Sequence, residues 1–303
     1  MQLKDVLQKT TLFFREKGFE TARLDTEILL AKALHWDRMK LYLNYEYPLN
    51  EQELTACREL VRRRAGGEPV AYITGQKDFY NHTFFISPGV LIPRPDTETL
   101  VESVLSWHAS FQDLDPEQEF HVVDLGCGSG CIGLSIAAAI SKSKLVAVDS
   151  SAQAIEVTTL NAETLGLAER TAILHQSVET LTTQDMLTHF GGLADAVVAN
   201  PPYIAVSDNM VEANVRKFEP HEALFSDENG LAHIKTWLVK AAQLVRPDGL
   251  VMFEIGHEQG AQALALFEAA NVFQNIELIR DLAGINRFVR CTRLAAGNQD
   301  VEN

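Results

Sequence analysis

From Leu3 to about Arg64 apolar side chains return every three or four positions, as at Ala22, Ile28, Leu29 and Ala33 and again at Leu54, Cys57, Leu60 and Val61. That spacing stacks them on one face of successive helices and predicts a helical N-terminal domain over residues 1–75. Gly66-Gly67 and then Pro69 end the last helix, because glycine takes the left-handed C-terminal conformation and proline cannot continue the hydrogen-bond ladder. Asp78 to Leu91 reads as a hairpin, with Phe79 to Phe85 and Val90 to Ile92 extended around Ser87-Pro88-Gly89. Residues 76–95 are thereby assigned to a β-hairpin linker.

Beyond Pro95 the period changes. A helix is predicted near Asp96 to Trp107, then a polar linker at Asp113 to Glu119. Short apolar strands follow at His121 to Leu125, Leu145 to Val148, Thr171 to His175, Ala194 to Ala199, Leu250 to Ile255, Asn275 to Arg280 and Phe288 to Thr292. Helical segments separate most of them, which implies an α/β domain over 96–303 with a mainly parallel sheet covered on both faces. The last two strands, with only Asp281 to Asn286 between them, suggest an antiparallel hairpin at one edge.

Composition narrows the class. A chain of 303 residues that is 46% hydrophobic can bury a large core. It has no apolar run near membrane-spanning length, so no membrane association is expected and the cytoplasm is the expected location. The four cysteines, Cys57, Cys127, Cys131 and Cys291, lie in apolar segments and read as reduced core residues, and no metal is expected. The net charge of −15 disfavours a bare nucleic-acid partner and suits a basic protein surface. Arg62-Arg63-Arg64 read as the solvated end of a helix. A monomer is expected.

Two segments carry chemistry. Val122-Val123-Asp124-Leu125-Gly126-Cys127-Gly128-Ser129-Gly130 runs from a strand into a helix containing Ile132, Leu134 and Ile136. Its glycines let backbone pass close to a ligand at a helix N-terminus. Asp149 closes the next strand, where an acid can accept from both ribose hydroxyls. Asp124 and Asp149 thus flank one crevice. The Gly-x-Gly-x-Gly spacing differs from the dinucleotide fingerprint, and no Lys-Ser or Lys-Thr follows to grip phosphate, so a ligand without phosphates fits better.

The second segment is Asn200-Pro201-Pro202-Tyr203, directly after the strand Ala194 to Ala199 and so at the carboxyl edge of the sheet. The prolines stiffen the loop, leaving the Asn200 side chain and the Pro201 carbonyl as fixed acceptors. A planar amide or aromatic amine nitrogen is a poor nucleophile because its lone pair is delocalised; two acceptors on its NH₂ draw it toward a pyramidal, reactive form. Tyr203 can lay its ring against such a flat group.

Asp124 to Gly130 resembles the first motif of class I S-adenosylmethionine methyltransferases. That resemblance implies a Rossmann-like seven-stranded sheet with a reversed last strand, the cofactor S-adenosyl-L-methionine, its methionine part along Gly126, Cys127, Gly128, Ser129 and Gly130, and Asp149 on the ribose. Asn-Pro-Pro-Tyr resembles the catalytic loop of amino-methylating DNA enzymes and of protein-glutamine methyltransferases. The flanking runs Gly67 to Gly75, Phe79-Tyr80, Leu91-Ile92-Pro93-Arg94-Pro95-Asp96-Thr97-Glu98, Phe218-Glu219-Pro220, Glu254-Ile255-Gly256 and Arg280 to Gly284 resemble the release factor glutamine methyltransferases, the HemK or PrmC family.

This likeness implies methylation of the glutamine in the Gly-Gly-Gln loop of class 1 release factors, with Asn200, Pro201 and Tyr203 catalytic and Asn200 to Tyr203 binding the substrate. Asn200 also borders the cofactor. The family's acid near the adenine is replaced here by Gln176-Ser177-Val178, which leaves that contact to Ser177, Val178 or backbone. Asn229-Gly230-Leu231 stands where Asp-Gly-Leu is usual. Arg94 and Glu98 either orient the incoming loop or cap a helix start. The rival readings are a ribosomal-protein glutamine methyltransferase, a DNA or RNA amino-methyltransferase, which the charge argues against, and a binding module that has lost catalysis.

Overall fold

A computed structural model describes residues 1–110 and 118–295. The polar linker expected from Asp113 to Glu119 lies, up to residue 117, outside the described residues. The chain divides into two compact units, one of Met1–Gln76 with Glu212–Phe218 and one of Lys77–Val211 with Glu219 onward.

The first unit is helical: Leu3–Glu16, Ala22–Leu34, Arg38–Leu43, Glu51–Ala65 and Val70–Thr74. Its first helix buries Leu3, Val6, Leu7, Thr10 and Phe14, the one-face spacing that a core-facing helix needs. These side chains pack with Leu30, Leu34, Leu54 and Cys57, or with Leu29 and Ile73. Asn50 and Glu53 form a reciprocal capping box at the start of the fourth helix. The arginine triplet is only partly solvated. Arg62 is exposed and pairs with Glu59, but Arg64 binds Asp25 at 2.7 Å and lies over the Phe19 ring, because buried Asp25 needs a counter-charge.

Strands β1 (Gln76–Phe79), which begins at the last residue of Met1–Gln76, and β2 (His82–Phe85) follow. The expected hairpin is therefore displaced: its turn is Tyr80-Asn81, not Ser87 to Gly89, and Val90 to Ile92 is not a strand. The left-handed Tyr80 makes the tight turn at a φ of 53° that costs a non-glycine residue, and Glu98 steadies it by accepting from the Tyr80 N–H at 3.0 Å. Phe79 and Phe84 then meet edge to face in the core.

The remaining strands are β3 (Phe120–Leu125), β4 (Ser143–Asp149), β5 (Thr171–His175), β6 (Ala194–Ala199), β7 (Ile204–Ala205), β8 (Phe225–Ser226), β9 (Val245–Glu254), β10 (Phe273–Arg280) and β11 (Asn286–Arg293). Seven of them form one sheet in the order β10-β11-β9-β6-β3-β4-β5, parallel except for β11, which runs against both neighbours. All six residues of β6 are buried, as a central strand covered on both faces must be. All four cysteines are free and buried. Among the described residues no helix is long and apolar enough to cross a membrane.

Candidate active site

Register builds the site. Leu125 pairs with Val148 on one side and with Ala199 on the other, and Ala199 pairs with Phe253. The residues that follow, Asp149, Gly126, Asn200 and Glu254, therefore stand side by side along the carboxyl edge, one strand spacing apart. The chain order runs outward from β3 through β4 and β5, then jumps back across β3 to β6. Gly126 and Asn200 flank that switch point, where open α/β sheets bind ligands.

The loop after β3 is shaped by backbone. Gly126, Gly128 and Gly130 all have positive φ (69°, 57° and 75°), which alternate side-chain-bearing residues tolerate poorly. The N–H groups of Gly126 and Cys127 both donate to the Val148 carbonyl, and Gly128 N donates to Asp149 Oδ2 at 2.9 Å. Thr158 and Asn161 donate to the carbonyls of Gly128 and Ser129. Asp149 also accepts from Ser151 N, and burial raises its pKa. A Cβ at Gly128 would meet nothing nearer than Val90, so the loop leaves an open passage there.

One cleft is lined by Gly126, Cys127, Gly128, Ser129, Asp149, Ser177, Val178, Asn200 and Pro202, and so gathers most of the residues singled out in the sequence. Asp124 does not reach it. It is fully buried under the loop, Oδ2 accepting from Gly133 N at 2.9 Å while Oδ1 has no partner among the described residues. Burial pushes its pKa up to about 7, so the neutral acid persists up to about that pH. Asp124 thus sets where the helix Cys131–Ala139 begins, and no ligand contact is read from it. Gly130, as the residue before that helix, also lies off the lining.

The Asn200 side chain and the Pro201 carbonyl have no hydrogen-bond partner among the described residues, and Asn200 is half-buried at the cleft. Pro201 and Tyr203, both expected at the substrate, lie off the cleft lining: Pro201 is buried, and Tyr203 packs on the core with its hydroxyl donating to Glu254 Oε1 at 3.1 Å. Glu254 is itself buried, accepts from Thr97 Oγ1 at 2.6 Å, and has its pKa raised to about 7 by burial. After Tyr203, β7 pairs with β8. Arg94 lines the cleft and pairs with buried Glu219 at 2.6 Å, while Glu219 also accepts from Ile92 N. Glu98 is taken by the Tyr80 turn and stays off the lining.

Comparison with known proteins fixes the lineage. Residues 109–281 match the family model "Methyltransferase small domain", and residues 5–75 match "PrmC N-terminal domain". The chain is 38% identical to the "Release factor glutamine methyltransferase" of Geobacter sulfurreducens, over 95% of each chain. It belongs to the release factor glutamine methyltransferase family. The Leptospira interrogans member is also 38% identical, over 95% of this chain and 97% of its own. The solved "hMettl16 catalytic domain in complex with MAT2A 3'UTR hairpin 6" superposes with a TM-score of 0.50 at 15% identity, over 70% of this chain and 75% of that one, which is a likeness of fold.

Beside Ser177 the cleft contains an acid that the sequence reading passed over. Glu179 accepts from the Ser177 hydroxyl and, at 3.1 Å, from Trp237 Nε1. Trp237 and His233 complete that wall. Neither was legible, because a Glu in a short helical turn and a Trp on a distant helix have no local signature. Glu254 was quoted as part of the resemblance without a role; its burial and two hydrogen bonds supply one.

Proposed function

We propose that this chain transfers a methyl group from S-adenosyl-L-methionine to the side-chain amide nitrogen of the glutamine in the Gly-Gly-Gln segment of class 1 peptide chain release factors. The observation that carries this reading is the unpartnered Asn200 side chain lining the cleft with the glycine loop, followed in the chain by the unpartnered Pro201 carbonyl, in a chain of this family. Two acceptors set together are what a planar NH₂ group requires.

The residues present fit the cofactor. The lining carries Asp149, Glu179 and Glu222, its one arginine is paired with Glu219, and the glycine loop has no lysine, so the cleft suits a cationic ligand without phosphates. Asp149 keeps lone pairs for ribose hydroxyls, and the Gly126 to Ser129 backbone borders the amino-acid part. Ser177 and Val178, with Asn200, border the rest. When bound, this cofactor supplies an electrophilic methyl on a sulfonium.

The chain's own residues then orient the nucleophile. The Asn200 side chain and the Pro201 carbonyl would accept hydrogen bonds from the two amide N–H groups and draw the nitrogen out of conjugation, while Pro202 keeps the loop stiff. The nitrogen gains the methyl with release of S-adenosylhomocysteine and passes one N–H proton to water. Tyr203, packed on the core with its hydroxyl held by Glu254, fixes the loop end. Orientation of this kind contributes several kcal/mol, up to about 7–11 in well-aligned cases. The helical unit over 1–75 recognises the body of the release factor, because a pocket for one side chain cannot by itself select a protein. The enzyme acts as a cytoplasmic monomer and needs no metal.

The test is methyl transfer from labelled S-adenosylmethionine to a purified class 1 release factor, beside its Gln→Ala variant in the Gly-Gly-Gln loop. Label on the first alone is expected. Label on a ribosomal protein or on DNA instead would keep the methyltransferase and discard this substrate.

A further inference from the structure

Tyr203 is held at both ends. Its hydroxyl is bound by Glu254, and its backbone carbonyl accepts from Gln259 Nε2 at 2.8 Å. The same Nε2 donates to the Asn229 carbonyl at 3.1 Å, and Gln259 Oε1 accepts from Gly256 N at 2.9 Å. One side-chain amide thus joins three backbone segments: the Asn200–Tyr203 loop, the turn before the helix Ala232–Leu244, and the chain leaving β9.

The turn is unusual in itself, since Glu228 and Asn229 both have left-handed φ (52° and 57°), a conformation held only where surroundings over-determine it. Gly230 makes the approach possible. A Cβ there would sit 2.0 Å from the Tyr203 carbonyl oxygen and 2.5 Å from Gln259 Nε2.

We infer that Gln259 is a positioning residue that sets the stance of the Asn200–Tyr203 loop, with Gly230 as the space that lets it do so. This inference rests on the reading of that loop as the place where the amide is activated. Gln259 does not line the cleft and takes no part in the chemistry. Its one amide nitrogen satisfies two carbonyls, those of Tyr203 and Asn229. Without it the Tyr203 carbonyl is free to rotate, and Pro201 and Asn200 lose their fixed direction.

The experiment uses the full chain with Gln259→Glu, which sets a carboxylate against two carbonyl oxygens, and Gln259→Met, which keeps the length and removes every hydrogen bond. Asn200→Ala is the reference. Three quantities are read: the single-turnover rate of methyl transfer to the release factor, the affinity for S-adenosylhomocysteine by calorimetry, and the melting temperature. A rate lowered roughly 10- to 100-fold in both Gln259 variants, with affinity held within about twofold, is expected. A Met variant with the wild-type rate, beside a crippled Asn200→Ala, overturns the role of Gln259 and leaves the loop reading intact. A Met variant that loses cofactor affinity in proportion to rate makes Gln259 a general prop and also overturns it. An Asn200→Ala enzyme at the wild-type rate overturns the loop reading on which the inference stands.

Discussion

The two loops at the carboxyl edge of the sheet are held at different points, the glycine loop along its whole backbone and the Asn200–Tyr203 loop only at its Tyr203 end. The glycine loop at 126–130 is held through its own backbone groups, its N–H groups on the Val148 carbonyl, the Asp149 carboxylate and its own Cys127 carbonyl, and its carbonyls on the Thr158 and Asn161 side chains. The Asn200–Tyr203 loop is held by side chains that arrive 51 and 56 residues later, Glu254 and Gln259. A loop that presents backbone to a ligand needs freedom from side chains, which glycine gives locally. A loop that must keep its own acceptors unpartnered cannot use them to hold itself, so its support comes from elsewhere. Each has a buried carboxyl beneath it, Asp124 under the first and Glu254 under the second, both raised to about 7 by burial.

The largest way to break this comparison is Asn200→Ala. Removing one of the two acceptors is expected to lower the single-turnover rate about 10²- to 10³-fold with the melting temperature unchanged, by analogy with removal of one preorganised transition-state partner. Next comes Asp124→Asn. The folded chain holds the Asp124 proton up to about pH 7, whereas the unfolded chain releases it near 3.8. Folding is therefore favoured below that window and loses stability, on the order of a few kcal/mol, as pH rises through it. The Asn variant keeps the oxygen that accepts from Gly133, and denaturation at several pH values should show a flatter profile between pH 4 and about 7.

Gly126→Ala is smaller. Its Cβ would lie 2.5 Å from the Trp237 ring at a φ of +69°, so a loss of about 1–3 kcal/mol and weaker cofactor binding are expected by urea titration and calorimetry. Gly128→Ala sharpens the point, because only the backbone strain, about 1 kcal/mol, applies where space is open. Thr97→Val, which leaves Glu254 Oε2 without its 2.6 Å donor, should likewise cost about 1 kcal/mol with a modest fall in rate. Equal losses of rate from Gly128→Ala and Thr97→Val would erase the distinction between the loops.

Most strands were legible because apolar runs of the right length sit between turn residues, and β5 and β6 match their expected limits. The hairpin was misplaced because Ser87-Pro88-Gly89 is the stronger local turn signal. What overrode it is distant: Glu98 steadies the Tyr80 turn, and Asn161 pairs both backbone groups of Phe85. The candidate site shows the same split. Asp149, Asn200 and the glycines announce themselves by residue type after a strand. Asp124 announces itself equally well, yet lies beneath the loop, since facing the cleft or the core at a strand end depends on which neighbours cover it.

By itself, then, the sequence determined the element order, the glycine loop, the stiff Asn-Pro-Pro-Tyr turn and the acid after β4, because each rests on period, backbone sterics and residue chemistry within a few positions. The tertiary structure alone decided that Asp149, Gly126, Asn200 and Glu254 stand abreast, that Arg94 spends its charge on Glu219, and that Glu254 and Gln259 grip Tyr203. Those outcomes depend on strand register and on burial across the whole sheet. Both arise only when segments far apart in the chain have packed together.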